Sequence, residues 1–130
     1  MLRIAAAAVV AAHGLIHLIG FVVPWGIATI EGFPYRTVVL GEAVELGDFG
    51  ARAIGVVWLA CAVGFVVAGL AIWRRAPWAL ALTAALASVS IGLCVLGLPE
   101  TVAGIVVNAA TLGAVAWILL ARPRAAGFPR

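Results

Sequence analysis

Residues 51–73 read ARAIGVVWLACAVGFVVAGLAIW, and Arg52 is the only charged residue among them. A hydrocarbon core about 30 Å thick needs about 20 residues of apolar helix, so this stretch can cross a bilayer. Residues 4–23, 78–98 and 102–121 have the same character. Because helices satisfy their backbone hydrogen bonds internally, we predict an all-α integral membrane four-helix bundle. The whole chain, 1–130, then forms a single transmembrane domain.

The composition also indicates that lipid is the solvent of this chain. Hydrophobic residues make up 66% of it and charged residues 10%, with a mean hydropathy of +1.25. Soluble domains average about 25% charged residues. The net charge of +3 would suggest nucleic acid in a soluble protein, but the arginines here flank apolar stretches. The predicted partner is therefore the lipid bilayer, and no nucleic acid is expected.

The distribution of charge predicts the orientation, because short loops rich in arginine remain in the cytoplasm. One side of a four-span chain carries most of its arginines, namely Arg3, Arg74, Arg75, Arg122, Arg124 and Arg130. The other side carries every acidic residue, namely Glu31, Glu42, Glu45, Asp48 and Glu100. We predict that both termini are cytoplasmic. The use of arginine without lysine, together with much Ala, Val and Gly, favours a bacterial inner membrane.

Residues 24–50 form the one long connection, between helices 1 and 2. Apolar residues such as Phe33, Val38 and Leu46 favour an ordered extracytoplasmic loop that packs over the mouth of the bundle. We expect a short interfacial helix near 37–46. Asp48 is predicted to cap span two and to pair with Arg52 at the i, i+4 spacing. The predicted outer rim comprises Glu42, Asp48, Arg52 and Glu100.

Polar residues inside the spans concentrate in the outer half of the bundle. They are His13, His17, Ser90, Cys94, Asn108 and Thr111. Such side chains are costly in lipid, face the bundle interior and often mark ligand, ion or proton sites. We therefore predict a ligand-binding pocket that opens to the outer side. At 1.5 Å of rise per residue, His17 and Asn108 should lie at similar depth and can face each other.

The two histidines, His13 and His17, stand one helical turn apart and share one face. That spacing allows two imidazoles to bind one divalent metal ion, whereas bis-histidine haem would need the two rings on separate helices or chains. A third ligand would have to come from a more distant position, with Glu42, Asp48, Glu100, Asn108 and Cys94 as candidates. No H-E-x-x-H motif is present. Two further interpretations remain open: a proton or quinone site, and neutral imidazoles that hydrogen-bond to Ser90, Asn108 or the backbone and hold helices together.

Small residues recur at four-residue spacing in the second and third spans. They are Ala60, Gly64 and Ala68 in the former, and Ala84, Ser88 and Gly92 in the latter. Such stripes allow helices to approach closely. We therefore expect both stripes to lie at contacts between helices.

The stretch 12–20, AHGLIHLIG, combines with Trp58-Leu59, Leu96-Gly97-Leu98-Pro99, Gly104 and Asn108. With these motifs the chain resembles a group of uncharacterised small four-span bacterial membrane proteins. The resemblance covers nearly the whole chain and implies the same fold. It implies no activity, substrate or cofactor.

Three functional hypotheses follow. The first is a non-enzymatic accessory or small-molecule-binding membrane protein with an outward-facing polar pocket. The second is a metal-dependent membrane enzyme or redox subunit that uses His13 and His17. The third is a subunit of a homo-oligomeric transporter, or of a larger membrane complex, because one copy offers no continuous polar path. Nucleotide-binding loops and catalytic triads have no match in the sequence.

Overall fold

A computed structural model describes residues 1–121. Its helices are α1 (Leu2–Ile16), α2 (Ile19–Val22), α3 (Gly47–Trp73), α4 (Ala79–Leu96) and α5 (Val102–Leu120), with two short strands, β1 (Val38–Val39) and β2 (Val44–Glu45). Four helical segments, Leu2–Val22, α3, α4 and α5, are long and apolar enough to span a membrane. The prediction of an all-α, multi-pass helical bundle is confirmed. The predicted cytoplasmic residues Arg122, Arg124 and Arg130 lie outside the described residues.

The segment between α2 and α3 contains a β-hairpin, and the predicted interfacial helix near 37–46 is wrong. Val38 pairs with Glu45 and Val39 with Val44 in an antiparallel register. The Leu46 amide extends this pairing by donating to the Thr37 carbonyl at 2.8 Å. Two adjacent valines favour extended backbone, and Gly41 adopts the left-handed conformation of the turn, with φ +63°. The β propensity of the two valines therefore favours the hairpin over the predicted helix.

Helix α3 begins at Gly47, ahead of the predicted start at residue 51. The Gly47 amide donates to the Glu45 carboxylate at 2.9 Å. Asp48 therefore lies inside the first turn, where its charge complements the helix dipole, and Leu46 occupies the N-cap position. The predicted role of Asp48 as the capping residue is wrong, because its side chain makes no capping hydrogen bond within the described residues.

The first span is interrupted between α1 and α2. The amides of His17, Leu18 and Gly20 each bond to a carbonyl three residues earlier, as in a 3₁₀ turn. The His17 ring Nδ1 lies 3.0 Å from the His13 carbonyl, the group to which the His17 amide would bond in a regular α-helix. A side chain thus replaces a backbone donor at the point where the helix tightens.

Helices α1 and α2 both pack against α3, and one glycine on each makes this close approach possible. A Cβ atom on Gly14 of α1 would lie 2.7 Å from the Phe65 Cβ atom, and one on Gly20 of α2 would overlap the Trp58 ring. Helix α4 packs against both α3 and α5, whereas α1 and α5 have little direct backbone contact. The spans therefore pack in the order α1, α3, α4, α5.

The small residues of α4 do not form a contact between helices in this chain. Ser88 and Gly92 are exposed, and a Cβ atom on Gly92 would meet nothing within 4 Å. In the stripe of α3, Ala68 is fully buried and Gly64 lies against Leu86, whereas Ala60 is exposed. The expectation for the second stripe is wrong because four-residue spacing specifies a shared face and leaves its direction undetermined.

Candidate functional site

Four polar side chains from three helices meet in one hydrogen-bonded group, which we call the polar cluster: His13 and His17 of the first span, Ser90 of α4 and Asn108 of α5. His13 Nε2 lies 3.2 Å from Asn108 Oδ1, and His17 Nε2 lies 2.7 Å from Ser90 Oγ. The Asn108 amide nitrogen donates to Ser90 Oγ at 2.8 Å. Ser90 and Asn108 are fully buried, and His17 is 3% exposed.

The acceptors around the polar cluster determine where its protons lie. The Asn108 amide nitrogen also donates to the Gly104 carbonyl at 2.8 Å, and a carbonyl can only accept, so the orientation of this amide is defined. Asn108 Oδ1 must then accept from His13 Nε2–H. The His17 Nδ1–H donates to the His13 carbonyl, which leaves His17 Nε2 as an acceptor for the Ser90 hydroxyl. Every bond in the cluster therefore has one donor and one acceptor.

Aromatic side chains of α3 form a wall beside the two imidazoles. The Phe65 ring centroid lies 4.9 Å from that of His13 and 5.1 Å from that of His17. Trp58 packs against the other side of His17, with centroids 5.2 Å apart. Phe65 is fully buried. These contacts hold both rings in place and separate the cluster from lipid on the α3 side.

A cavity of about 270 Å³ extends from the polar cluster toward the segment between α2 and α3. His13 and Asn108 lie at its inner end, together with Cys94, and Trp58 forms part of one side. Most of the remaining wall is apolar, including Ile19, Val38, Val39, Leu46, Ile54, Leu96 and Ala103. The arrangement is that of a small-molecule site, in which apolar walls surround a few convergent polar groups.

An ion pair lies at the mouth of the cavity. Arg36 Nη2 donates to Glu100 Oε1 at 2.8 Å and joins the segment before the hairpin to the turn between α4 and α5. Both residues line the cavity, and the Glu100 side chain is 21% exposed. Glu42 makes a longer contact with Arg36, at 3.9 Å, and is 71% exposed. The Leu40 amide also donates to the Leu96 carbonyl at 3.1 Å. These contacts attach the segment between α2 and α3, which we call the connecting segment, to the end of α4 and to the turn that follows it.

A second set of contacts attaches this segment to the start of α3. The Tyr35 hydroxyl donates to Asp48 Oδ1 at 2.5 Å, and the Trp25 indole donates to the Arg52 carbonyl at 3.2 Å. The hydrogen bond to the Asp48 carboxylate raises the pKa of the Tyr35 phenol above its ordinary value. Asp48 and Arg52 form no ion pair within 4.0 Å in the part of the chain that the structure describes, so that predicted pair is wrong.

Of the two remaining predicted pocket residues, Cys94 lines the cavity and Thr111 does not. Cys94 is 2% exposed, lines the cavity and lies against Gly104 of α5. The Thr111 hydroxyl donates to the Val107 carbonyl of its own helix at 2.9 Å. Thr111 is therefore one turn too deep to reach the cluster, although it lies on the same helix as Asn108.

The donor set does not suit a metal ion. Both ring nitrogens of His17 and Nε2 of His13 are engaged in hydrogen bonds. Within residues 1–121, no group of three or more His, Cys, Asp or Glu side chains is arranged to hold a metal. Structural zinc sites use four protein ligands and catalytic sites use three. The His13 and His17 pair falls short of either.

Sequence reasoning missed two residues of the site, Arg36 and Trp58. Arg36 was visible only as one of two basic residues on the acidic side, and its partner Glu100 is distant in sequence. Trp58 carried a clearer signal. The other four tryptophans lie in the first or last turns of helices or just beyond them, where indoles favour the membrane interface. Trp58, by contrast, lies inside α3.

The fold and the cavity together define a multi-pass helical membrane protein with a largely apolar internal site. Comparison of the chain with protein-family models, with curated proteins and with solved structures finds no match. The function must therefore be argued from the site itself.

Proposed function

We propose that this chain is a non-enzymatic membrane protein that binds a small, largely apolar molecule in the cavity above the polar cluster. The observation that carries the proposal is the cavity itself, about 270 Å³ in volume, with apolar walls and a polar inner end. A dry apolar cavity of about 150 Å³ in another protein binds benzene, so the space suits a molecule of one or two rings.

The chemistry of the polar cluster favours binding over catalysis. A serine nucleophile must be exposed to its substrate and needs a base that can take its proton away. The Ser90 hydroxyl is fully buried and donates to His17, whose other nitrogen serves the backbone. Three of the four cluster members are thus committed to holding helices together. The cluster forms the rigid end of a binding site.

We further propose that the end carrying the connecting segment faces outward from a bacterial inner membrane and that both termini are cytoplasmic. The acidic residues of the chain lie in this segment, in the first turn of α3 and in the turn between α4 and α5. Arg74 and Arg75 follow α3 at the opposite end. This distribution agrees with the tendency of basic loops to remain inside.

The binding proposal is tested by filling the cavity from one wall. Ala103 and Ala109 are both exposed alanines of α5, but only Ala103 lines the cavity. In native mass spectrometry of protein extracted in a mild detergent, we expect a bound molecule in the parent chain and in Ala109→Phe, and its loss in Ala103→Phe. Equal occupancy in all three proteins, or none in the parent chain in several membrane extracts, would refute the proposal.

Orientation is tested separately with reporter fusions. A cytoplasmic reporter placed after Arg75 should be active, and an extracytoplasmic reporter at the same position should be silent. The opposite pattern would overturn the proposed orientation and leave the binding proposal untouched.

A further inference from the structure

The hydrogen bonds of the polar cluster leave one ring nitrogen uncommitted. His13 Nε2–H donates to Asn108, and Nδ1 of the same ring has no hydrogen-bond partner among residues 1–121. No side-chain nitrogen or oxygen in that range is both buried and without a partner, so His13 Nδ1 remains accessible. His13 lines the cavity. The inner end of the site therefore offers one free nitrogen.

The chemical character of this nitrogen follows from its ring. A neutral imidazole carries one N–H donor and one acceptor, and in His13 the donor is Nε2. No carboxylate is a hydrogen-bond partner of either imidazole in the cluster. Glu100, the acidic residue that lines the same cavity, is already paired with Arg36. Nδ1 is thus an acceptor.

The other nitrogen and oxygen atoms at the inner end are already satisfied. Asn108 uses its oxygen for His13 and its nitrogen for Ser90 and Gly104. His17 has partners at both ring nitrogens. A ligand that reaches this end therefore meets one nitrogen acceptor, and the Cys94 thiol beside it is only a weak donor.

The exposed part of the cavity wall indicates where the ligand comes from. Ile16 of α1 and Ala103 of α5 both line the cavity, yet Ile16 is 62% exposed and Ala103 is also exposed. Both residues thus border the cavity and are exposed on the side of the bundle where α1 and α5 have little direct backbone contact. A molecule dissolved in the bilayer would enter on this side, away from the Arg36–Glu100 ion pair.

From the free acceptor and the exposed side between α1 and α5 together, we infer that the site selects a membrane-soluble ring compound bearing a hydroxyl or N–H group, which donates a hydrogen bond to His13 Nδ1. Phenols and the reduced, hydroxyl-bearing forms of quinones belong to this class, whereas ethers and oxidised quinones, which only accept, do not. The inference rests on the proposed function and specifies its ligand.

A matched pair of probes tests the inference: 1-naphthol, which donates, and 1-methoxynaphthalene, which has the same rings and only accepts. Their dissociation constants would be measured by equilibrium dialysis against protein in lipid nanodiscs, with empty nanodiscs subtracted. We expect 1-naphthol to bind about 3- to 10-fold more tightly, the effect of one additional hydrogen bond.

Two variants assign that preference to His13. Phenylalanine keeps an aromatic ring against Phe65 and carries no nitrogen, so His13→Phe removes the Nδ1 acceptor. We expect it to bind both probes with equal affinity. Ala103→Phe should weaken the binding of both probes to the same extent.

The possible failures are distinguishable. Equal binding of the two probes to the parent chain, or a preference that persists in His13→Phe, would overturn the donor requirement and leave the cavity as a binding site. Binding of neither probe above the empty-nanodisc background, or binding unaffected by Ala103→Phe, would count against the proposed function itself.

Discussion

Replacing Asn108 with leucine tests whether the polar cluster holds three helices together. Asn108 is fully buried, and its side chain bonds to His13 of α1 and to Ser90 of α4. Hydrogen bonds between membrane helices average about 0.6 kcal/mol each, so two of them contribute roughly 1.2 kcal/mol. Leaving a donor or acceptor without a partner costs about 1–3 kcal/mol more. We expect Asn108→Leu to lower the free energy of unfolding by about 2–4 kcal/mol.

The matched control for this variant lies one turn further along α5. Thr111 bonds only to its own helix, so Thr111→Val should change the free energy of unfolding by less than about 0.5 kcal/mol. Unfolding by SDS in mixed micelles, followed by circular dichroism, measures both. A double variant of His13→Leu and Asn108→Leu should cost less than the two single variants combined, because they share one bond. Strict additivity, or equal effects of Asn108→Leu and Thr111→Val, would refute the reasoning.

Three further predictions concern the rest of the chain. Tyr35 is the only tyrosine, so its ultraviolet titration is unambiguous, and Asp48→Asn should lower the raised pKa of its phenol. Because that pKa is raised, the stabilising contact is present at neutral pH and is lost as pH rises through the folded-state pKa. An unchanged titration in the variant would contradict the hydrogen bond. In the same SDS unfolding assay, Gly14→Ala should destabilise the contact between α1 and α3. Gly92 faces open space, so Gly92→Ala should be neutral or should stabilise the protein by up to about 1 kcal/mol. Equal effects of the two variants would contradict the close approach at Gly14. Arg36→Gln should change the free energy of unfolding by less than about 1 kcal/mol, because the ion pair is partly exposed, and a larger loss would show that the connecting segment depends on it.

The four spans could be predicted from the sequence because lipid imposes a simple requirement on length and polarity. Predicted and observed helices differ chiefly at the start of α3, where Gly47 and the Glu45 carboxylate begin the helix earlier. The hairpin at Val38–Val39 was missed, because in so apolar a chain the local β preference of two valines does not stand out. Hydropathy indicates which segments span the membrane, but it says little about the structure of the segments that connect them.

The sequence predicted which residues would form the polar cluster, but it did not predict which of them hydrogen-bond to each other. Polar residues at similar depth in separate spans had to face inward, which brings His13, His17, Ser90 and Asn108 to one region. Depth alone favoured His17 as the partner of Asn108, but the 3₁₀ turn rotates His17 toward Ser90 and leaves His13 for Asn108. Such a local change in helical pitch has no simple signature in the sequence.

The tightened turn at His17 has a consequence for proton movement. A histidine passes a proton along when it can take one at one ring nitrogen and release one from the other. The Nδ1–H of His17 points at the His13 carbonyl, which can accept a hydrogen bond but offers no onward path, and releasing that proton would leave the carbonyl of a membrane helix uncovered. A proton arriving from Ser90 would therefore go no further than this ring. The hydrogen-bonded row of polar groups from Asn108 through Ser90 to His17 therefore ends at a backbone carbonyl.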